Sequence, residues 1–203
     1  MTPPRDGAGP DAAGPDAGGP GDVPAFEHEA AVPTAARMTG LGERLAGLLA
    51  AGDLVVLSGP LGAGKTTLAR GIGAGLKVRG PVTSPTFVIA RVHPSLAGGP
   101  DLVHADAYRL GSRAEVDDLD LDTDVDSSVT VVEWGENLAE GLAPSFLEIA
   151  IAPVIAGTMA PAGTEPAAAE QEADEPRTVR VTGWGDRWAQ AADAARSALS
   201  GTP

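Results

Sequence analysis

The sequence predicts an α/β fold: a mostly parallel central sheet with helices on both faces, extended by antiparallel strands from the C-terminal part. Three observations predict it. Short β-branched apolar runs alternate with stretches whose apolar residues recur at helical spacing. Two of those runs end in a carboxylate, Asp106 and Glu133. A third, Leu54-Val55-Val56-Leu57, leads into a glycine-rich loop and then a helical stretch, with no polar interruption of the kind an exposed strand would show.

The elements follow in order. Residues 1–24 are mostly Pro, Gly, Ala and Asp, with almost nothing to bury, and read as a disordered tail. Phe26 to Val32 reads as an edge strand. Thr34 to Ala51 is helical, because Met38, Leu41, Leu45, Leu48 and Leu49 fall on one face; Thr34 suits the N-cap and Gly52 the end. Asp53 to Ser58 is a buried strand, followed by the loop and a helix from Thr67 to Leu76. Gly80 to Phe87 is a Pro-stiffened, hydroxyl-rich loop ahead of a strand over Val88 to Val92. His93 to Asp101 forms a hairpin or loop, and Leu102 to Asp106 a strand. Ser112 to Leu119 is a short helix, and Val129 to Val132 another buried strand. Residues 144–153 alternate as a strand, 156–176 form a flexible acidic insertion, and Arg177 to Thr182 returns as the second arm of a hairpin. Trp184 to Leu199 is a closing helix. The expectation is one domain over 25–199.

The loop is Gly59-Pro60-Leu61-Gly62-Ala63-Gly64-Lys65-Thr66, which fits the phosphate-binding pattern G-x-x-x-x-G-K-[ST] in its proper strand-to-helix setting. Each residue type has a reason. Glycines let the backbone bend sharply and aim successive N–H groups at phosphate oxygens. The helix behind adds its positive end. Lys65 supplies a mobile charge for the β and γ phosphates, and the Thr66 hydroxyl suits Mg2+. Gly59, Leu61, Gly62, Ala63, Gly64, Lys65, Thr66 and Thr67 are therefore the nucleotide-binding candidates.

Asp106 and Glu133 stand where a strand hands over to a loop beside that site. One acid there would hold Mg2+, directly or through water, and the other would orient the attacking water; spacing does not assign the two roles. Lys65, Asp106 and Glu133 are the catalytic candidates, with Thr66, Asp106 and Glu133 for the metal. Tyr108, the only tyrosine, and Arg109 fit a structural plug and ion pair as well as a site. Asp122, Asp124, Asp126 and Glu133 have nearly the spacing of a calcium-binding EF-hand loop. The turn position is Ser127 rather than glycine, and the exit is a strand, so a solvated acidic loop is the expectation.

Composition excludes other classes. With no cysteine, disulfides and thiolate metal sites are ruled out. No apolar run reaches the ~20 residues of a membrane span, and no basic-then-apolar leader opens the chain; a soluble cytoplasmic protein is expected. The net charge of −14 resides in the tail, the six aspartates between Asp117 and Asp126, and the insertion, which leaves a neutral body. Such a body lacks the basic face that direct nucleic-acid binding needs. No guanine-reading Asn/Thr-Lys-x-Asp pattern is present, which favours ATP over GTP.

Four blocks in order resemble the small bacterial P-loop ATPase family TsaE (YjeE): Gly-Pro-Leu-Gly-Ala-Gly-Lys-Thr-Thr at 59–67, Ser-Pro-Thr-Phe at 84–87, His-Ala-Asp-Ala-Tyr-Arg-Leu at 104–110, and Val-Glu-Trp-Gly-Glu at 132–136. The first is generic to nucleotide binders; the other three together are specific. The resemblance covers about 25–155 and the C-terminal hairpin and helix. It implies a P-loop NTPase-like three-layer sandwich and weak, Mg2+-dependent ATP hydrolysis. It also implies action with TsaD and TsaB in forming threonylcarbamoyladenosine in tRNA, with tRNA met mainly through those partners and no membrane involved. It further implies that Thr86 lies in a switch-like loop and Trp134 close to the nucleotide. Pro60 stands where the family often has Asp, and the tail and insertion are additions. Two other readings share the same residues. A small-molecule or nucleotide kinase would need an arginine-rich lid, for which the candidates are Arg91, Arg109 and Arg113. A nucleotide-dependent switch would need residues 80–87 and 106–128 to respond to nucleotide state.

Overall fold

A computed structural model describes residues 23–85, 90–108, 127–135, 143–154 and 176–200. Thr86, Arg109, Arg113, the helix expected over 112–119, the acidic run, Glu136, the tail up to 22 and the insertion from 155 to 175 lie outside the described residues. The strands are β1 (Phe26–Val32), β2 (Leu54–Ser58), β3 (Ala90–His93), β4 (Asp101–Asp106), β5 (Ser128–Glu133), β6 (Phe146–Pro153) and β7 (Arg177–Trp184). They form one seven-stranded sheet in the order β1-β7-β6-β2-β5-β4-β3. The described helices are α1 (Ala35–Ala46), α2 (Lys65–Gly75) and α3 (Asp186–Ser200).

Burial explains the order. Every residue of β2 and of β5 is buried, as a continuous apolar run requires, and β2 takes the centre with β5 and β6 parallel on either side. β4 adds to β5 in parallel. The antiparallel pairs are β6–β7, β1–β7 and β3–β4, so antiparallel pairing reaches both margins rather than the C-terminal strands alone. For β3–β4 the cause is the short Gly/Pro connection after His93, which is long enough only to reverse the chain.

Alternation along the strands makes two faces. Val55, Leu57, Val131, Ile149 and Val181 face the helices and share a core with Met38, Leu41, Leu68, Ile72 and Trp188. Leu54, Val56, Ala105, Val132 and Phe146 point the other way and form a smaller cluster to which no described helix contributes. All three described helices thus pack on one face, where helices on both were expected.

Three helix limits moved; at the closing helix, expected from Trp184, that residue ends β7 and α3 starts only at Asp186. Thr34 caps α1 as expected, its hydroxyl accepting from the N–H of Arg37 at 3.2 Å. The helix stops at Ala46 with Gly47 as its cap, and Gly52 (φ +89°) shapes the turn into β2 instead. α2 begins at Lys65, before Thr67, because left-handed Gly64 (φ +106°) is its N-cap. α1 and α2 press backbone against backbone. A Cβ on Gly42 would lie 2.5 Å from the Leu68 carbonyl oxygen, and one on Gly71 would fall on the Thr39 carbonyl. This contact seats α2, and hence the loop before it, against the sheet.

Candidate functional site

The site lies where β2, β4 and β5 end and α2 begins. Gly59 turns the chain out of β2 at φ +134°, and any side chain there would run into the Ile151 carbonyl. Gly62 and Gly64 also take left-handed φ, a conformation that strains residues carrying a Cβ and suits glycine. Leu61 stands 90% exposed at the loop's outer tip, while Ala63 is buried under it.

Parallel register then brings the acids together. Asp106 and Glu133 are direct neighbours across β4 and β5, and Glu133 is also the neighbour of Leu57 at the end of β2. All three point to the face that α2 covers. The hydroxyl of Thr66, in the first turn of α2, donates to the Glu133 carboxylate, at 2.9 Å from Oε1 and 3.1 Å from Oε2. Asp106 is held on both oxygens: Ser84 Oγ donates to Oδ2 at 3.2 Å, and the Tyr108 N–H to Oδ1 at 3.0 Å.

Lys65 folds back over its own loop. Its ammonium donates to the carbonyls of Gly59 (2.7 Å) and Pro60 (2.9 Å) and lies 3.4 Å from the centroid of the Trp134 ring. Burial pushes the Lys65 ammonium below its ordinary pKa, and the charges of Glu133 and Asp106 push back. Trp134 reaches this position through a left-handed backbone (φ +60°), anchored by its N–H to the Leu57 carbonyl at 2.8 Å. Tyr108 leans on the same ring, centroids 5.0 Å apart, and is itself 67% exposed.

Of the residues expected from the sequence, Lys65, Thr66, Glu133 and Trp134 converge with the loop, and Asp106 stands beside Glu133. Three partners were not assigned a role from sequence: Ser84, which holds Asp106; Tyr108, left open between plug and site; and His104. The His104 ring is fully buried, with Nε2 2.9 Å from Glu133 Oε1. Alternation in β4 puts His104 on the face of Asp106, but only the register with β5 reveals its reach to Glu133.

The donors suit a hard cation: a hydroxyl and carboxylates. Among the described residues no three His, Asp or Glu side chains gather as a metal cage. A hydroxyl with one or two carboxylates is the kind of protein oxygen set that Mg2+ takes, the rest of its shell coming from water and phosphates. Calcium would ask for a fuller set, and the expected acidic-loop aspartates lie outside the described residues.

The family described as "Threonylcarbamoyl adenosine biosynthesis protein TsaE" matches residues 32–156, which include every site residue named above. A Streptomyces coelicolor protein called "tRNA threonylcarbamoyladenosine biosynthesis protein TsaE" is 58% identical over 155 residues, spanning 76% of this chain and 95% of that protein. The chain belongs to the TsaE family. A TsaE protein of Mycobacterium tuberculosis is 53% identical over 127 residues, 59% of this chain and 76% of its own. The crystal structure of the Bacillus protein YdiB superposes with a TM-score of 0.61, covering 83% of this chain and 93% of that one at 24% identity, a likeness of fold. The TsaE match covers β1's last residue through β6, so it takes in the loop, both acids and Trp134.

Proposed function

We propose that the chain binds ATP with Mg2+ at loop 59–66 and hydrolyses it as its part in forming threonylcarbamoyladenosine in tRNA, together with TsaD and TsaB. The observation that carries the reading is the Glu133 carboxylate on the Thr66 hydroxyl at the start of α2, with the Lys65 ammonium on the loop beside it. This is the set of groups that phosphoryl transfer asks for: a cationic cradle, a metal-directed hydroxyl and an acid. Family membership supports the tRNA-modifying role, and no described helix is long and apolar enough to cross a membrane.

On this reading the loop N–H groups and the α2 N-terminus hold the phosphates, and Lys65 turns from the Gly59 and Pro60 carbonyls to the β and γ oxygens. Thr66 and Glu133 would hold Mg2+, which would supply charge neutralisation to the phosphates. Asp106, steadied by Ser84 and the Tyr108 N–H, orients the water. The water oxygen bonds to the γ-phosphorus, the bond to the bridging oxygen breaks, and ADP leaves with the electron pair. The water proton passes to the carboxylate side or to phosphate. Trp134 and Tyr108 wall the site.

The test is ATP hydrolysis by the purified chain, alone and with TsaD and TsaB, for wild type, Lys65→Ala and Glu133→Ala. Partner-stimulated hydrolysis lost in both variants is the expected result. Nucleotide bound but never hydrolysed, even with the partners, would overturn the ATPase reading in favour of a switch or a kinase awaiting its acceptor.

A further inference from the structure

We infer that His104 is a positioning residue: it fixes Glu133 Oε1 from behind, so that Oε2 is the oxygen presented to the metal. This rests on the proposed Mg–ATP reading. Three observations carry it. His104 is fully buried, on the helix-facing side of β4, and its Nε2 meets Glu133 Oε1 at 2.9 Å. A carboxylate only accepts, so Nε2 carries the hydrogen and donates. Thr66 donates to both oxygens, but its bond to Oε1 is the shorter, 2.9 against 3.1 Å. The hydroxyl has one hydrogen, shared unequally in favour of Oε1, so Oε1 is the oxygen engaged by both partners.

The remaining nitrogen explains why an imidazole stands here. Nδ1 is buried and has no partner among the described residues. A histidine kept for core packing leaves such a nitrogen for no return, and an apolar residue of similar size would fill the space without that loss. The one hydrogen bond the His104 side chain makes among the described residues is to Glu133. Buried partners behind a ligating carboxylate set its orientation, and their removal costs about 10–100-fold in metal affinity.

The test compares His104→Asn with His104→Gln. Both are polar and smaller than histidine. Glutamine carries its amide N–H to the place of Nε2, whereas asparagine holds it at the place of Nδ1 and cannot reach Glu133. Manganese binding would be read by the electron paramagnetic resonance of free Mn2+ in the presence of ADP, nucleotide binding without metal by titration in EDTA, and folding by the thermal midpoint. The expected result is Mn2+ affinity weakened about 10–100-fold in His104→Asn, largely restored in His104→Gln, with metal-free nucleotide binding unchanged in both. Wild-type Mn2+ affinity in a folded His104→Asn would overturn the inference, and so would equal loss in both variants. Failure of the wild type to bind nucleotide and Mn2+ would instead overturn the Mg–ATP reading, and this inference with it.

Discussion

Gly40 and Gly42 lie two residues apart in α1, and alanine should act on them with opposite sign. In an exposed helix interior, Gly→Ala stabilises by about 0.5–1 kcal/mol, because alanine has less backbone freedom to lose. At Gly40 nothing opposes this, since the nearest atom to an added Cβ is Arg44 Nη1 at 3.7 Å. At Gly42 the added Cβ would lie 2.5 Å from the Leu68 carbonyl oxygen, 2.8 Å from the Ile72 nitrogen and 2.9 Å from the Gly71 carbonyl carbon. These are backbone atoms of α2 and cannot turn aside. Carbon and oxygen settle at about 3.3 Å or more, so the helices must part by roughly 0.8 Å. Overpacking of this kind costs about 1–3 kcal/mol, which exceeds the propensity gain. Urea unfolding should therefore show Gly40→Ala with a raised midpoint and Gly42→Ala lowered by a net of about 1–2 kcal/mol. The displaced helix also carries Thr66, so on the proposed reading Gly42→Ala should lose ATP turnover well beyond its loss of stability, as small misplacements of reacting groups do. A Gly42→Ala protein as stable as Gly40→Ala would refute the account of how α2 is seated.

Other outcomes follow from the same contacts. Thr66→Ala removes a donor from Glu133 and, on the proposed Mg–ATP reading, should abolish hydrolysis while changing stability by no more than about 1 kcal/mol; a fully active variant would refute the metal role proposed for Thr66. Arg187 joins the start of α3 to the buried Asp53 carboxylate (3.1 Å) and the Leu48 carbonyl (2.8 Å), and Arg187→Leu should cost about 1–3 kcal/mol in chemical unfolding by stranding Asp53. The folded pKa of Lys65 lies below its ordinary value of 10.5, so the unfolded chain holds the extra proton between the two, and stability from this group rises with pH across that interval. Lys65→Met should flatten this rise in urea midpoints, and an unchanged slope would assign the rise to other groups.

Much of this was legible in the sequence, for local reasons. β1 falls on Phe26–Val32 as read, and the loop, β2, β4 and β5 were fixed by apolar runs with sharp polar ends. Thr34 was legible as a cap because capping is decided within three residues. Helix limits were less so. Leu48 and Leu49 continue the apolar spacing of α1, but after Ala46 the backbone bonds tighten to residues three apart (Gly47 N–H to Arg44, Leu48 N–H to Leu45), and both leucines still reach the core outside the helix. Pairing was the main gap. β1 joins β7 across most of the chain length, and nothing in either strand names its partner. For the same reason His104 passed unnoticed: its meaning depends on β4 lying beside β5 in one register, which no local pattern states.

Lys65 has one consequence for any anion that comes to the loop. Its ammonium is not a bare charge: it is matched by two carbonyls and an indole face. On the proposed reading, binding is therefore an exchange of partners, and its strength is the difference between two satisfied states rather than the full attraction of an unpaired cation. The same exchange runs backwards on release, when the loop takes its lysine home as the anion departs. Under that reading, such a pocket would give up tightness at entry and spare itself a trapped product, which suits cycling more than storage.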